Sequence, residues 1–458
     1  MPPFLALCLT IGFIAYLFRR DFEEKPNVTR ALWIPLMWML IIGSRYVSEW
    51  LGNFGISAGA ISLEEGSPID ALVFFVLISS AAYVLSRRHV NLSVVINENR
   101  WLTLFFVYGF CAILWSDFPF VAFKRWIKII GHPLMVLIIL TEPDPEEALK
   151  RLMRRAAYVL IPVSVLFIKY YPDLGRGYDT WSGVPFNKGI AADKNALGHA
   201  CLVLGFFFLW DFMQTRKTMK SNTRRKKLIL QGCFLAMIGW LLYMAHSSTS
   251  LVSTIVAIAV MIFLGFRFVD RRLVGTYVIV AVLAVLVLEG VFGFSTQVLH
   301  LLGKNATLTD RTEVWKDCLK IPLNPVLGAG FESFWLGERR EKMWEKWDWQ
   351  PNQAHNGYLE TYLNLGLLGL IALIGVILAT FWKSRRELLN NFEFGRFRMG
   401  LLLAILAYNW TESAFKGLSF VWFVFYIIAM DYPRARAAVP AQSEVEAEES
   451  SSLVGAHT

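Results

Sequence analysis

Uncharged stretches close to the length of a bilayer span alternate along this 458-residue chain with short pieces rich in Lys and Arg. Leu228–His246, Thr249–Phe266 and Leu273–Leu288 are the clearest. A helix needs about 20 predominantly apolar residues to cross the hydrocarbon, so lipid is the solvent this pattern fits. Only 18% of residues are charged, against about 25% in an ordinary soluble domain. Segments near 3–18, 31–43, 69–85, 101–115, 120–140, 156–171, 190–212, 228–246, 249–268, 273–293, 357–382, 397–412 and 417–430 read as candidate spans. The expected fold is therefore all-α, a polytopic transmembrane bundle of 12 or 13 helices with one large extracytoplasmic loop. Its expected divisions are spanning helices over 1–293, the loop over 294–356, further spans over 357–436, and a disordered tail over 437–458 that is acidic and rich in Ser and Ala. The N-terminus lacks a basic n-region and a small-residue cleavage site, so 3–18 is expected to be the first span.

Clusters of Lys and Arg orient such a chain, because they favour the cytoplasmic side. Thr215–Lys227 holds seven and the linker 383–398 holds five. Threading outward from these places 28 of the 45 Lys and Arg on the inside. The net charge of +9 then reflects loops facing anionic lipid rather than a nucleic-acid partner. The five Cys form neither a disulfide framework nor a zinc cage, and the seven His show no ligand spacing, so no metal or other cofactor is expected.

The other 17 cations oppose the topological preference and carry the functional signal. Lys124, Arg125 and Lys128 share a face of one apolar helix. Lys169, Arg176, Lys188 and Lys194 surround the 172–190 loop, eight more lie in the 294–356 loop, and Arg45 and Lys416 complete the set. Cations at membrane depth usually line a cavity and face a partner. Snorkelling to headgroups is an equal reading for Lys124 and Lys169. The cavity reading implies a polyanionic ligand, such as a lipid diphosphate, entering from the outer leaflet.

The loop is too long for a simple connection and holds Trp315, Trp335, Trp344, Trp347 and Trp349, which argues against disorder. Trp344, Trp347 and Trp349 fall in an amphipathic stretch that suits the bilayer interface better than sugar stacking. Asp310 is placed to cap a helix that follows it. Arg311 offers a planar fork matched to phosphate oxygens. His355 stands where the loop meets the next span and can accept a proton near pH 7, although a lone His is more often structural. Glu412 is placed either to orient His355 or to pair with Lys416 at i,i+4.

His355-Asn356, then Gly366 and Gly369, resembles the signature of the O-antigen ligase and polymerase superfamily. Arg311…Trp315 followed by Pro325…Gly328-x-Gly330 resembles that family's preceding block, and Lys188-Gly189…Lys194-Asn195-x-x-Gly198 resembles a third. Ser116-Asp117-x-Pro119, Lys124-Arg125 and Thr411-Glu412-Ser413 resemble the exopolysaccharide polymerase (ExoQ-like) branch. The resemblance covers roughly 115–415, with the blocks in order. It implies a metal-independent, inverting glycosyltransferase of the GT-C type in the bacterial cytoplasmic membrane. Such an enzyme transfers a glycan from undecaprenyl diphosphate to an acceptor hydroxyl at the periplasmic face. By position, His355 would be the general base, and Arg311, Lys188, Lys194, Arg125, Lys128 and Arg176 would hold the diphosphate. Asn195, Asn356, Glu412 and Trp315 would orient groups or contact substrate, with a helix N-terminus at Lys194 turned toward the anion. Lys188 stands where the family usually has Arg, and Arg176 is the candidate substitute. The expected partners are the lipid-linked glycan donor, a glycan or lipid-linked acceptor, membrane lipids and a chain-length regulator. A polymerase is the leading reading, a ligase to a lipid core the second, and a lipid-linked oligosaccharide flippase the alternative from another class.

Overall fold

The computed structural model describes residues 1–56, 66–178, 183–218, 222–292 and 311–433. The expected tail and the whole of 294–310, with the Asp310 cap, lie outside the described residues. Each of the thirteen candidate spans holds a helix. In chain order these and the connecting helices are α1 (Pro3–Glu23), α2 (Trp33–Gly43), α3 (Val47–Asn53), α4 (Pro68–Arg87), α5 (Leu92–Glu98), α6 (Arg100–Cys111), α7 (Pro119–Leu140), α8 (Pro145–Tyr170) and α9 (Pro172–Gly175). There follow α10 (Lys194–Thr218), α11 (Asn222–Ala245), α12 (Ser248–Phe263), α13 (Val274–Phe292), α14 (Arg311–Lys320), α15 (Gly337–Lys346), α16 (Gly357–Asn390), α17 (Phe392–Thr411) and α18 (Phe420–Ala429). One antiparallel hairpin, β1 (Arg176–Tyr178) with β2 (Pro185–Asn187), lies between α9 and α10.

The protein is an all-α polytopic membrane bundle. Among the described residues six helices are long and apolar enough to cross a bilayer, or seven if the pair Arg30–Gly43 and Val47–Asn53, bent by 58°, is one span. α10 and α18 form the centre, with α18 buried along its whole length. α1 and α13 present apolar residues outward, as lipid-facing helices do.

α18 is too short to span. Its ten residues rise about 15 Å, half of a hydrocarbon core about 30 Å thick. The chain leaving α17 therefore returns into the bundle as irregular backbone over 412–419. Such backbone is tolerated at membrane depth only where protein or a wet cavity satisfies it, and here side chains do so. Asn409 Oδ1 accepts from Ala414 N (2.9 Å) and Phe415 N (3.0 Å). Glu332 Oε1 accepts from Gly417 N at 2.5 Å. His132 Nε2 lies 3.1 Å from Gly417 O. Because Trp38 Nε1 can only donate, and does so to His132 Nδ1 at 3.1 Å, His132 carries its proton on Nε2 and donates it to that carbonyl.

α16 is broken at Gly366 (φ +64°, ψ −163°), and the groups freed there meet the Pro325–Gly330 turn. Ala329 N and Gly330 N donate to Leu363 O (3.0 Å) and Asn364 O (2.9 Å), while Leu367 N and Leu368 N donate to Pro325 O (2.9 Å) and Val326 O (3.2 Å). A Cβ on Gly328 would lie 2.5 Å from Gly366 N, and one on Gly366 would lie 2.2 Å from Val326 O. Only glycine permits this approach of backbone to backbone. The motif glycines thus pin the large loop to the break. Val314, Cys318, Phe334, Trp335 and Met343 then give its described part a small core.

Candidate functional site

His355, two residues before α16, is held at φ +50°, a region that costs a non-glycine residue free energy and recurs at functional sites. Four hydrogen bonds on its neighbours hold it there. Asn356 Oδ1 caps α16 by accepting from Tyr358 N and Leu359 N, each at 3.0 Å, and Asn356 N donates to Ser413 Oγ at 2.9 Å. On the other side, Trp315 Nε1 donates to Ala354 O at 2.7 Å. Asn356 is thus a helix cap with its amide oxygen already engaged, and Trp315 a tether on the segment that carries His355.

Glu412, the residue after α17, is the hub of the cluster. One oxygen, Oε2, lies 3.1 Å from His355 Nδ1. The other accepts from Arg311 Nη2 at 2.6 Å and from Asn195 Nδ2 at 2.9 Å. Arg311 Nη1 also donates to Thr411 O. Asn195 Oδ1 accepts from Ser247 Oγ at 3.1 Å, and Gly198 leaves room for Ser247 and Ser250 beside α10. Burial would raise the pKa of Glu412. The hydrogen bond from His355 and the charges of Arg311 and His355 outweigh that, holding it below the ordinary carboxylate value. An ionised Glu412 requires a donor on Nδ1, so neutral His355 is protonated there, and Nε2 keeps its lone pair. A carboxylate that fixes the tautomer of an imidazole is the arrangement that lets the other nitrogen take a proton. The alternative partner considered for Glu412 is not used: Lys416 Nζ lies 3.8 Å from Glu360 Oε1 instead.

An open cavity of ≈ 400 Å³ adjoins this cluster, lined by Tyr46, Arg125, Trp335, Arg340, Trp344 and Lys416, together with Glu332, Glu360, Ser413 and several amides. Two of these linings touch the residues flanking His355. Glu360 Oε2 accepts from Ala354 N at 2.8 Å, and Ser413 Oγ accepts from Asn356 N.

The six cations expected to act together fall in separate places, with only Arg125 and Lys128 close to one another. Arg311 is in the Glu412 cluster and Arg125 in the cavity, where it donates to Glu332 O at 2.5 Å. Lys194 begins α10 next to Asn195, with Nζ 5.9 Å from the Phe186 ring. Lys188 lies with Arg45 and Glu49; burial, then Arg45, lowers its pKa. Arg176 donates to Ile168 O at 3.1 Å, and Lys128 lies on α7 near Gly66. The α10 N-terminus is occupied by its own chain, since Asp193 Oδ1 accepts from Asn195 N (2.8 Å) and Ala196 N (2.9 Å). Of the loop tryptophans, Trp344 donates to Pro351 O at 2.9 Å and Trp347 to Asp317 Oδ2 at 3.2 Å, so both indoles serve the loop's own fold. Arg340 and Lys416 as a pair were not singled out from the sequence. The available signal was Arg340 and Trp344 at i,i+4 on one amphipathic helix.

Residues 232–374 match the family model described as O-antigen ligase. The chain is also 26% identical over 308 residues to the exopolysaccharide production protein ExoQ of Rhizobium meliloti (strain 1021), a match that covers 64% of this chain and 66% of that relative. Both findings bear out the resemblance drawn from the motifs. The family model takes in Arg311, His355 and the Gly366 break but ends before Glu412.

Proposed function

We propose that this chain, similar to O-antigen ligases and to an exopolysaccharide production protein, is a membrane glycosyltransferase that extends a lipid-linked glycan on the periplasmic side of the cytoplasmic membrane. The observation that carries the proposal is the His355–Glu412 contact, with an open cavity next to it that Glu360 and Ser413 line. An acceptor hydroxyl is a poor nucleophile, and a positioned base on it contributes about 10²–10⁴-fold to transfer. His355 Nε2 takes that proton as the hydroxyl oxygen attacks the anomeric carbon of the donor sugar. The bond from that carbon to the diphosphate oxygen breaks, and the diphosphate leaves on its lipid. Glu412 holds the imidazole in the required tautomer and stabilises the imidazolium that forms.

Diphosphate needs stabilisation of its developing charge more than it needs protonation, and cations placed for it supply that. Arg311 and Lys194 flank the hub, on Glu412 itself and next to Asn195, so we assign the donor diphosphate to their side and the acceptor sugar to the cavity. Lys128, Lys188 and Arg176 then act on the approach of the anion rather than at the bond that breaks.

The test is His355→Ala in cells at equal protein level, with surface polysaccharide and lipid-linked units measured together. Loss of polymer with build-up of short lipid-linked units is the expected result, whereas normal polymer would remove His355 from the mechanism. The O-antigen ligase match favours a second reading, transfer of a finished glycan to a lipid core. Purified protein given only lipid-linked repeat units separates the two, because a polymerase lengthens them without a core acceptor.

A further inference from the structure

Four of the five loop tryptophans give their indole N–H to the loop's own fold. Trp315 donates to Ala354 O, Trp335 to Glu360 Oε2 at 3.1 Å, Trp344 to Pro351 O and Trp347 to Asp317 Oδ2. The N–H of Trp349 donates to no other described residue. Its partly buried ring packs instead against the imidazole of His355, with centroids 5.9 Å apart and planes inclined by 48°.

The backbone holds the indole there. Gln350 N donates to Trp347 O at 2.9 Å and closes a turn that contains Trp349, with Gln350 at φ +48°. The turn hangs from α15 through Trp347 N, which donates to Met343 O at 3.0 Å. Beyond it, Trp344 and Trp315 tie Pro351 O and Ala354 O, and Glu360 takes Ala354 N. Indole and imidazole are therefore carried by one short segment, 347–355, fixed at several points along its length.

His355 gains a second restraint from this neighbour. Both polar contacts of its ring with described residues, Glu412 at 3.1 Å and Gln353 at 3.4 Å, are made at Nδ1. An imidazole held at one nitrogen can still swing about that point, whereas a productive site tolerates a displacement of only about 0.5 Å. A bulky ring on its flank limits the swing. Trp347, 6.2 Å away and at 67°, in turn packs against that ring.

We propose that Trp349 is a positioning residue for the base: its ring keeps the imidazole on Glu412 and Nε2 turned to the acceptor. The proposal rests on the reading of His355 as that base. Trp349 acts through His355 and does not itself hold the sugar. The role requires a bulky aromatic ring, so Phe serves in it and Ala does not.

The experiment uses full-length protein in lipid nanodiscs, given lipid-linked units extracted from cells that lack it, and reads kcat and KM. Trp349→Ala is expected to lower kcat about tenfold, part of the 10²–10⁴-fold that a positioned base contributes, with KM held within about twofold. Trp349→Phe is expected to restore most of the rate. In the His355→Ala protein, Trp349→Ala is expected to cost nothing further, because residues that act as a unit are not additive. Unfolding temperatures accompany every variant, and Trp349→Leu, which keeps apolar bulk without the ring, takes the place of Ala if that variant unfolds. A raised KM at native kcat overturns the proposal and makes the indole a sugar platform. An equal further loss in the His355→Ala background overturns it too, since the indole would then act elsewhere. Native transfer by His355→Ala sinks the base reading and this proposal together. Native transfer by Trp349→Ala beside an inactive His355→Ala sinks this proposal alone.

Discussion

Two arginine–carboxylate contacts at opposite ends of the bundle look alike and differ in what surrounds them. Asn195 and Asp211 stand sixteen residues apart on α10, about 24 Å along its axis. At the far end, Arg154 holds Asp211 through two bonds, Nε to Oδ2 at 3.0 Å and Nη2 to Oδ1 at 2.7 Å. Gln231 adds a third at 2.7 Å, and Arg151 and Arg155 close on Asp21 in the same way. Both carboxylates there are answered by fixed donors. At the near end, Arg311 holds Glu412 through one bond to Oε1, and the other oxygen faces an imidazole beside an open cavity. The first set joins helices, whereas the second leaves one titratable nitrogen for a visitor. A buried ion pair is thus weak testimony to function on its own, and the presence of a proton-exchanging member separates the two.

The strongest way to break this comparison is to remove one partner at each end. Arg154→Ala should destabilise the protein by about 3–5 kcal/mol by stranding a buried carboxylate, with transfer per folded molecule unchanged. His355→Ala should leave the unfolding temperature near that of the native protein and cut transfer by about 10²–10⁴-fold. Paired thermal-unfolding and transfer assays read both, and matching outcomes at the two ends would dissolve the distinction.

Gly366→Ala probes the support of the His355 end rather than its proposed chemistry. Positive φ and the contact with Val326 O should cost about 3 kcal/mol together. Limited proteolysis should then cut the large loop faster. An unchanged loop would mean the Gly328–Gly366 contact is not what pins it.

Glu412→Gln gives the smallest and sharpest effect. The folded pKa of Glu412 is depressed, so its contribution to stability is present above the ordinary carboxylate value and is lost as pH falls through the depressed one. The native protein should exceed the variant by about 1.5 kcal/mol near neutral pH, a gap that narrows with acidification in unfolding curves. A gap that is constant with pH would show that Glu412 is not held ionised by its neighbours.

The helical segments were legible because hydropathy and charge are local properties, set by which solvent each stretch can tolerate. The order of the motif blocks was legible too, and so was His355 at a loop–helix junction. The sequence could not reveal that α18 is a half-span, since 417–430 is apolar whether or not it crosses. Nor could it separate the Glu412 partners, because Lys416 at i,i+4 is an equally good local match to Arg311, a hundred residues away.

By itself, then, the sequence determined the solvent and the helices, both of which follow from side-chain transfer free energies and backbone periodicity. Which cations meet was left to the tertiary structure. Arg311 and Asn195 reach Glu412, and Arg125, Arg340 and Lys416 share a cavity, only because the Gly328–Gly366 contact and the short α18 bring distant turns together. Those approaches depend on the fit of backbone against backbone, which no local pattern encodes.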